Sequence, residues 1–171
     1  GGNDINLTHF KYNSTNNYNY GMLQVASTQH NCFPTMGYIN DDLLVYFYSR
    51  RPGSSGFDQY LNAKLYDTSV VGTSAPTVLA TATEYNIGSQ TIGQAPDCAV
   101  GRSTGTTNAF GIYVYNNTSD NKGRAVPFEV TFKQGNTGTN TVRMLPTGTS
   151  TLAQTTASTR PDTSDAYRNP V

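Results

Sequence analysis

The chain has no Trp, two Cys, two His and two Glu, and its charged residues make up only 13% with a formal net charge of zero. Each shortage removes a class of function. A nucleic-acid binder carries a basic patch or arm. The nearest approach here is Arg50-Arg51 with the scattered Lys122, Arg124 and Lys133, so no nucleic-acid partner is expected. No apolar run comes near the roughly 20 residues that span a bilayer as a helix, so membrane insertion is not expected either. The sequence opens on Gly1-Gly2 without Met and carries no signal peptide, which reads as a processed or trimmed chain.

Catalytic vocabulary is equally sparse. There is no GxSxG elbow, HExxH pair or P-loop. His9 and His30 are the only histidines, and both read as ordinary hydrogen-bonded residues. His30 and Cys32 stand two apart and would share one face of a strand, but a disulfide at Cys32 removes the thiolate that attack requires. Glu84 and Glu129 are the only glutamates, and the alternation around Glu129 turns it outward onto a solvated sheet face. Asn40-Asp41-Asp42 and Asp120-Asn121 supply oxygen ligands without the spacing of a calcium loop, and they read as turns. No catalytic residue, metal or cofactor is expected.

Cys32 and Cys98 form no CxxC motif, which removes zinc and thioredoxin-type readings. An even count suits one disulfide. Closing a loop of about 66 residues would stabilise by roughly 4 kcal/mol in the chain-entropy model. Sequons begin at Asn6, Asn13, Asn116 and Asn117. An Asn- and Thr-rich chain generates sequons by chance, and the adjacent pair would rarely both be used.

What the chain does have is 25 Thr, 17 Asn, 16 Gly and 12 Tyr. Thr and Tyr suit pleated, half-buried strands; Asn, Gly and Ser suit the turns between them. Period-two alternation predicts strands over Asp4–Phe10, Tyr20–Ala26, Asp42–Ser49, Tyr60–Tyr66, Val78–Thr83, Tyr85–Ile92, Ala109–Tyr115, Val126–Lys133 and Thr141–Leu145. Asp42–Ser49 is apolar or aromatic on both faces, which predicts a central strand covered on both sides. It should form a hairpin with Tyr60–Tyr66 across a turn over Arg50–Gly56. A second hairpin should join Ala109–Tyr115 to Val126–Lys133 across the polar stretch Asn116–Gly123.

The fold class that follows is all-β: a single antiparallel β-sandwich of jelly-roll or Ig-like type, with extended termini. Residues 1–146 are expected to form the sandwich. Residues 147–171, dominated by Thr, Ser, Ala and Gly at their start, are expected to be an extended tail. Two functions fit. The first is a non-catalytic structural subunit of an extracellular, cell-surface or virion-surface assembly, joined to copies of itself through sheets and extended termini. The second is an adhesin that contacts surface glycans through polar loops at Tyr12, Tyr18 and Tyr20, at Arg50, Arg51 and Asp58, and over Asn116–Lys122. The lack of Trp, a common sugar platform, weighs against the second.

Overall fold

A computed structural model describes residues 5–12, 18–26, 30–51, 59–69, 76–86, 96–101, 107–117, 122–134, 137–145 and 150–151. They form twelve β-strands and no helix: β1 Ile5–Tyr12, β2 Tyr18–Ala26, β3 His30–Tyr38, β4 Leu43–Arg51, β5 Tyr60–Asp67, β6 Thr77–Thr81, β7 Tyr85–Asn86, β8 Asp97–Val100, β9 Asn108–Asn117, β10 Lys122–Thr131, β11 Thr141–Met144 and β12 Ser150–Thr151.

Alternation along β4 explains the layering. Val45 and Phe47 point to one side and are fully buried with Leu61, Ala63 and Leu65 of β5. Leu44, Tyr46 and Tyr48 point to the other side and are buried with Tyr66 and with Leu7 of β1. The strand is central and covered twice, as its two apolar faces predict. Register agrees, because Val45 lies opposite Leu65 and Phe47 opposite Ala63, so paired residues share a face.

Two five-stranded antiparallel sheets and one separate hairpin result. The first sheet has the order β3-β4-β5-β6, with β7 also on β5; the second has β11-β10-β9-β8, with β12 also on β10. The sheets face each other across one core. Phe47 meets Phe128 at 4.8 Å and Tyr113 at 5.2 Å between ring centroids. The β1–β2 hairpin forms its own sheet, and its Leu7 lies against the tyrosine face of β4–β5. This is an all-β architecture consistent with a β-sandwich. Apart from β7 on β5 and β12 on β10, the described neighbours are strands consecutive in the chain. A jelly-roll or Ig-like order needs a Greek-key return, and none is among the described pairings.

Several local readings change in the structure. β3 was not expected, because Pro34 interrupts its pattern. The strand forms at a sheet edge, where proline is tolerated. Its register shifts between Cys32 and Thr35, and Phe33 in that shift has φ of 52°. β8 was also not expected, being only four residues long. Proline enters the central strand β10 as well. Pro127 accepts the Leu145 N–H at 2.8 Å, so its own polar edge faces the outer side of the sheet. β11 covers residues 128–131 of β10 and β12 covers 124–125. The missing N–H of Pro127 therefore falls on this outer side, past the end of β11 and before β12, and not in the β9–β10 ladder.

The sheet also runs past the boundary expected at 146, since Ser150 and Thr151 pair with Ala125 and Arg124. The remainder of the expected tail, residues 152–171, lies outside the described residues.

Candidate functional site

The residues expected to act from loops are mostly held in strands. Tyr12 lies opposite Tyr18, and Phe10 opposite Tyr20, in the β1–β2 ladder. The loop expected over Asn13–Tyr20 is therefore shorter, because tyrosines suit paired strands better than turns. Arg50 and Arg51 belong to β4, opposite Tyr60 and His30 respectively, and not to the following turn. Asn116 and Asn117 end β9, with Asn117 opposite Lys122. Asn117 is buried, so Asn116 is the more reachable acceptor of the pair. Asn6 stands on β1 opposite Gln24. Asn13 and Asp58 lie outside the described residues.

Arg50 anchors the most organised polar cluster. It extends from β4 on the same side as Tyr46 and Tyr48. Its Nε donates to Glu84 Oε2 at 2.6 Å, and its second nitrogen donates to Glu84 Oε1. Asn62 Nδ2 donates to Glu84 Oε2 at 3.1 Å. The guanidinium also lies 4.4 Å from the centre of the Tyr60 ring, and Lys64 Nζ lies 5.8 Å from the Tyr48 ring centre. The hydrogen bonds from Arg50, with a smaller contribution from Asn62, hold the Glu84 carboxyl below its usual range against the opposing effect of burial. Glu84 is therefore ionised at neutral pH, which suits an acceptor or an ion-pair partner and not a general acid.

The sign of its pH dependence follows. A carboxyl with a depressed folded pKa contributes stability above its unfolded value, and that contribution is lost as pH falls through the folded value. Glu84→Gln is expected to cost about 1 kcal/mol or less at neutral pH. The gap to the unmodified protein should close as pH drops below the usual carboxylate range. Urea denaturation of both proteins at several pH values measures this.

The tyrosine layer beneath the hairpin is the second group. Burial, with the neighbouring Tyr48, pushes the Tyr46 phenol up to about 12. Burial also raises Tyr66 and Tyr48. Tyr46 and Tyr66 meet edge to face, with centroids 6.3 Å apart. These phenols act in packing and stay neutral.

A small cleft of about 190 Å³ lies at the seam where β11 approaches the β6–β7 segment, lined by Thr83, Glu84, Tyr85, Val142, Arg143 and Met144. Small-molecule pockets usually measure about 300–1,000 Å³. Its charged residues are engaged elsewhere: Glu84 with Arg50 and Asn62, and Arg143 with Glu129 at 2.6 Å. Glu129 thus points outward, as its alternation predicts, and is bridged by the cross-strand Arg143.

Asn40 takes the turn role expected of it, its Oδ1 accepting the N–H groups of Asp42 and Leu43 at 2.9 Å each. Among the described residues no group of three or more His, Cys, Asp or Glu is placed to hold a metal ion.

The cysteine strands meet across the seam between the sheets. Thr35 on β3 has its Oγ1 at 3.4 Å from Asp97 Oδ1 and 3.9 Å from Cys98 Sγ on β8. Cys98 is fully buried. Cys32 lies opposite Ser49 in the β3–β4 ladder. No disulfide is seen among the described residues.

What sequence reading did not single out is the outer apolar surface. Met36 and Tyr38 on β3 are 50% and 46% exposed, Val78 on β6 is 43% exposed, and Phe110 on β9 is 58% exposed. Phe110 alternates with Ala109, Gly111 and Tyr113, so its apolar character alone did not show which face was inside. Comparison with known proteins adds no relative: no family model, curated protein or solved structure matches the chain.

Proposed function

We propose that this chain is a non-catalytic structural subunit of an extracellular or virion-surface assembly, a filament, spike or outer shell built from copies of itself. The observation that carries this reading is the set of exposed large apolar side chains, Met36, Tyr38, Val78 and Phe110, spread over both sheets of a chain with zero net charge. Scattered single apolar residues are ordinary. Here two of them stand together on one edge strand, and low net charge removes the repulsion that keeps like chains apart.

The same setting favours joining Cys32 to Cys98. The two strands that carry them adjoin, and an extracellular compartment permits disulfides. The residues after 146 are the proposed clamp on neighbouring copies.

The test is the mass in solution of the intact chain and of a copy lacking residues 147–171, by light scattering over a range of concentrations. Concentration-dependent oligomers of the intact chain, lost or reduced in the shortened one, support the reading. A monomer at every concentration for both overturns it. Thiol titration of the same denatured samples, before and after reduction, reports the cysteines: two reactive thiols before reduction would exclude the disulfide.

A further inference from the structure

The edge of β3 carries a self-complementary pattern. In an antiparallel ladder the N–H and C=O of one residue point to the same side, and that side alternates along the strand. Ile39 donates its N–H to the Leu43 carbonyl at 2.9 Å across the β3–β4 turn. Gly37 and Thr35, opposite Val45 and Phe47, therefore also turn their backbone groups toward β4. Met36 and Tyr38 turn theirs away, to an edge on which no strand pairs among the described residues.

Their side chains share the outer face, opposite Tyr46 and Leu44, and both are about half exposed. A strand edge of this kind is a template for another strand. Proteins commonly block such edges with charge, yet β3 has no Lys, Arg, Asp or Glu. Its irregular half around Pro34 is blunted by the register shift, whereas Thr35–Tyr38 is regular. Within the two five-stranded sheets, the other outer strands, β6, β7, β8, β11 and β12, are each five residues or shorter, which itself limits edge pairing.

We propose that β3 pairs antiparallel with β3 of a second copy about a two-fold axis through Gly37, placing Met36 of each copy opposite Tyr38 of the other. This register uses the outward backbone groups of both residues and packs a thioether against a phenol ring, a favourable sulfur–aromatic contact. Because the two positions are symmetric about Gly37, one strand supplies both halves of an isologous contact. The sandwich edges of two subunits then join into one continuous sheet. The proposal rests on the assembly reading and names one of its contacts.

The experiment compares the intact chain with Met36→Lys, with Met36→Pro and with Gln134→Lys, an exposed position outside the strands, by light scattering, alongside hydrogen exchange of the backbone amides at low and high concentration. Proline at 36 removes an outward N–H that no described strand uses, so it leaves the β3–β4 ladder in place; circular dichroism checks that each variant is folded. The expected result is loss of the dimer step in both position-36 variants. Gln134→Lys should retain it. The Met36 and Tyr38 amides should gain protection with concentration in the unmodified chain. If the chain oligomerises but the position-36 variants do so equally and these amides stay unprotected, the β3 contact is wrong while the assembly reading stands. If the intact chain is monomeric throughout, both fail.

Discussion

Phe47→Ala is expected to lower stability by about 3–5 kcal/mol, the range for deleting a buried aromatic ring. Phe47 is fully buried at the centre of the interface between the sheets. Its ring lies against Phe128 and Tyr113 of the second sheet. Removal leaves a cavity that neighbouring strands cannot close, because their spacing is set by ladder hydrogen bonds on both sides of β4. A domain of ordinary stability has about 5–15 kcal/mol in total, so the variant should sit near its unfolding threshold. Chemical denaturation followed by tyrosine fluorescence measures the loss. Lys133→Ala, an exposed change beyond the end of β10, should move stability by about 0.5 kcal/mol or less. A loss under 1 kcal/mol for Phe47→Ala would mean that the two sheets do not share the core described.

Gly111→Ala carries the second largest expected effect, by overpacking and not by a cavity. Gly111 lies opposite Phe128 in the β9–β10 ladder. A Cβ there would stand 2.5 Å from the Ala99 carbonyl oxygen of β8 and still closer to the end of the Phe128 ring. The ring can turn, but the carbonyl belongs to a paired strand and cannot move without opening the β8–β9 ladder. The cost should reach about 3 kcal/mol, the upper part of the range for inserting a methyl group into a packed core. Combining it with Phe128→Leu separates the two clashes. The pair should cost less than the sum of the single changes, because the shortened side chain vacates the space over position 111. Strict additivity would show that the ring does not occupy that space.

Much of the fold was legible in the chain itself. Period-two patterning over Asp42–Ser49, Tyr60–Tyr66 and Val126–Lys133 states which residues face inward, and Leu61, Ala63, Leu65, Phe128, Val130 and Phe132 are buried as that pattern requires. The two apolar faces of β4 likewise imply a central strand. These readings succeed because side-chain alternation is a local property, forced by the pleat. The abundance of Thr and Tyr likewise favours strands, and no helix occurs among the described residues.

The tertiary structure decided what local pattern leaves open. Pro34 looks like a strand breaker in sequence, whereas Pro127 falls inside a stretch whose alternation predicts a strand. Each is accommodated by its place in the sheet, one at a shifted edge register and the other at a gap between β11 and β12. Tyr12, Tyr18 and Tyr20 read as loop residues among asparagines, but cross-strand pairing draws them into a hairpin. Glu84 looks like an isolated carboxylate until the fold brings Arg50, 34 residues away, onto both of its oxygens. The exposure of Met36, Tyr38 and Phe110 is likewise a matter of which strand ends a sheet and which face meets the other layer. Alternation assigns residues to one face or the other; only the stacking of the sheets determines which of those faces water reaches.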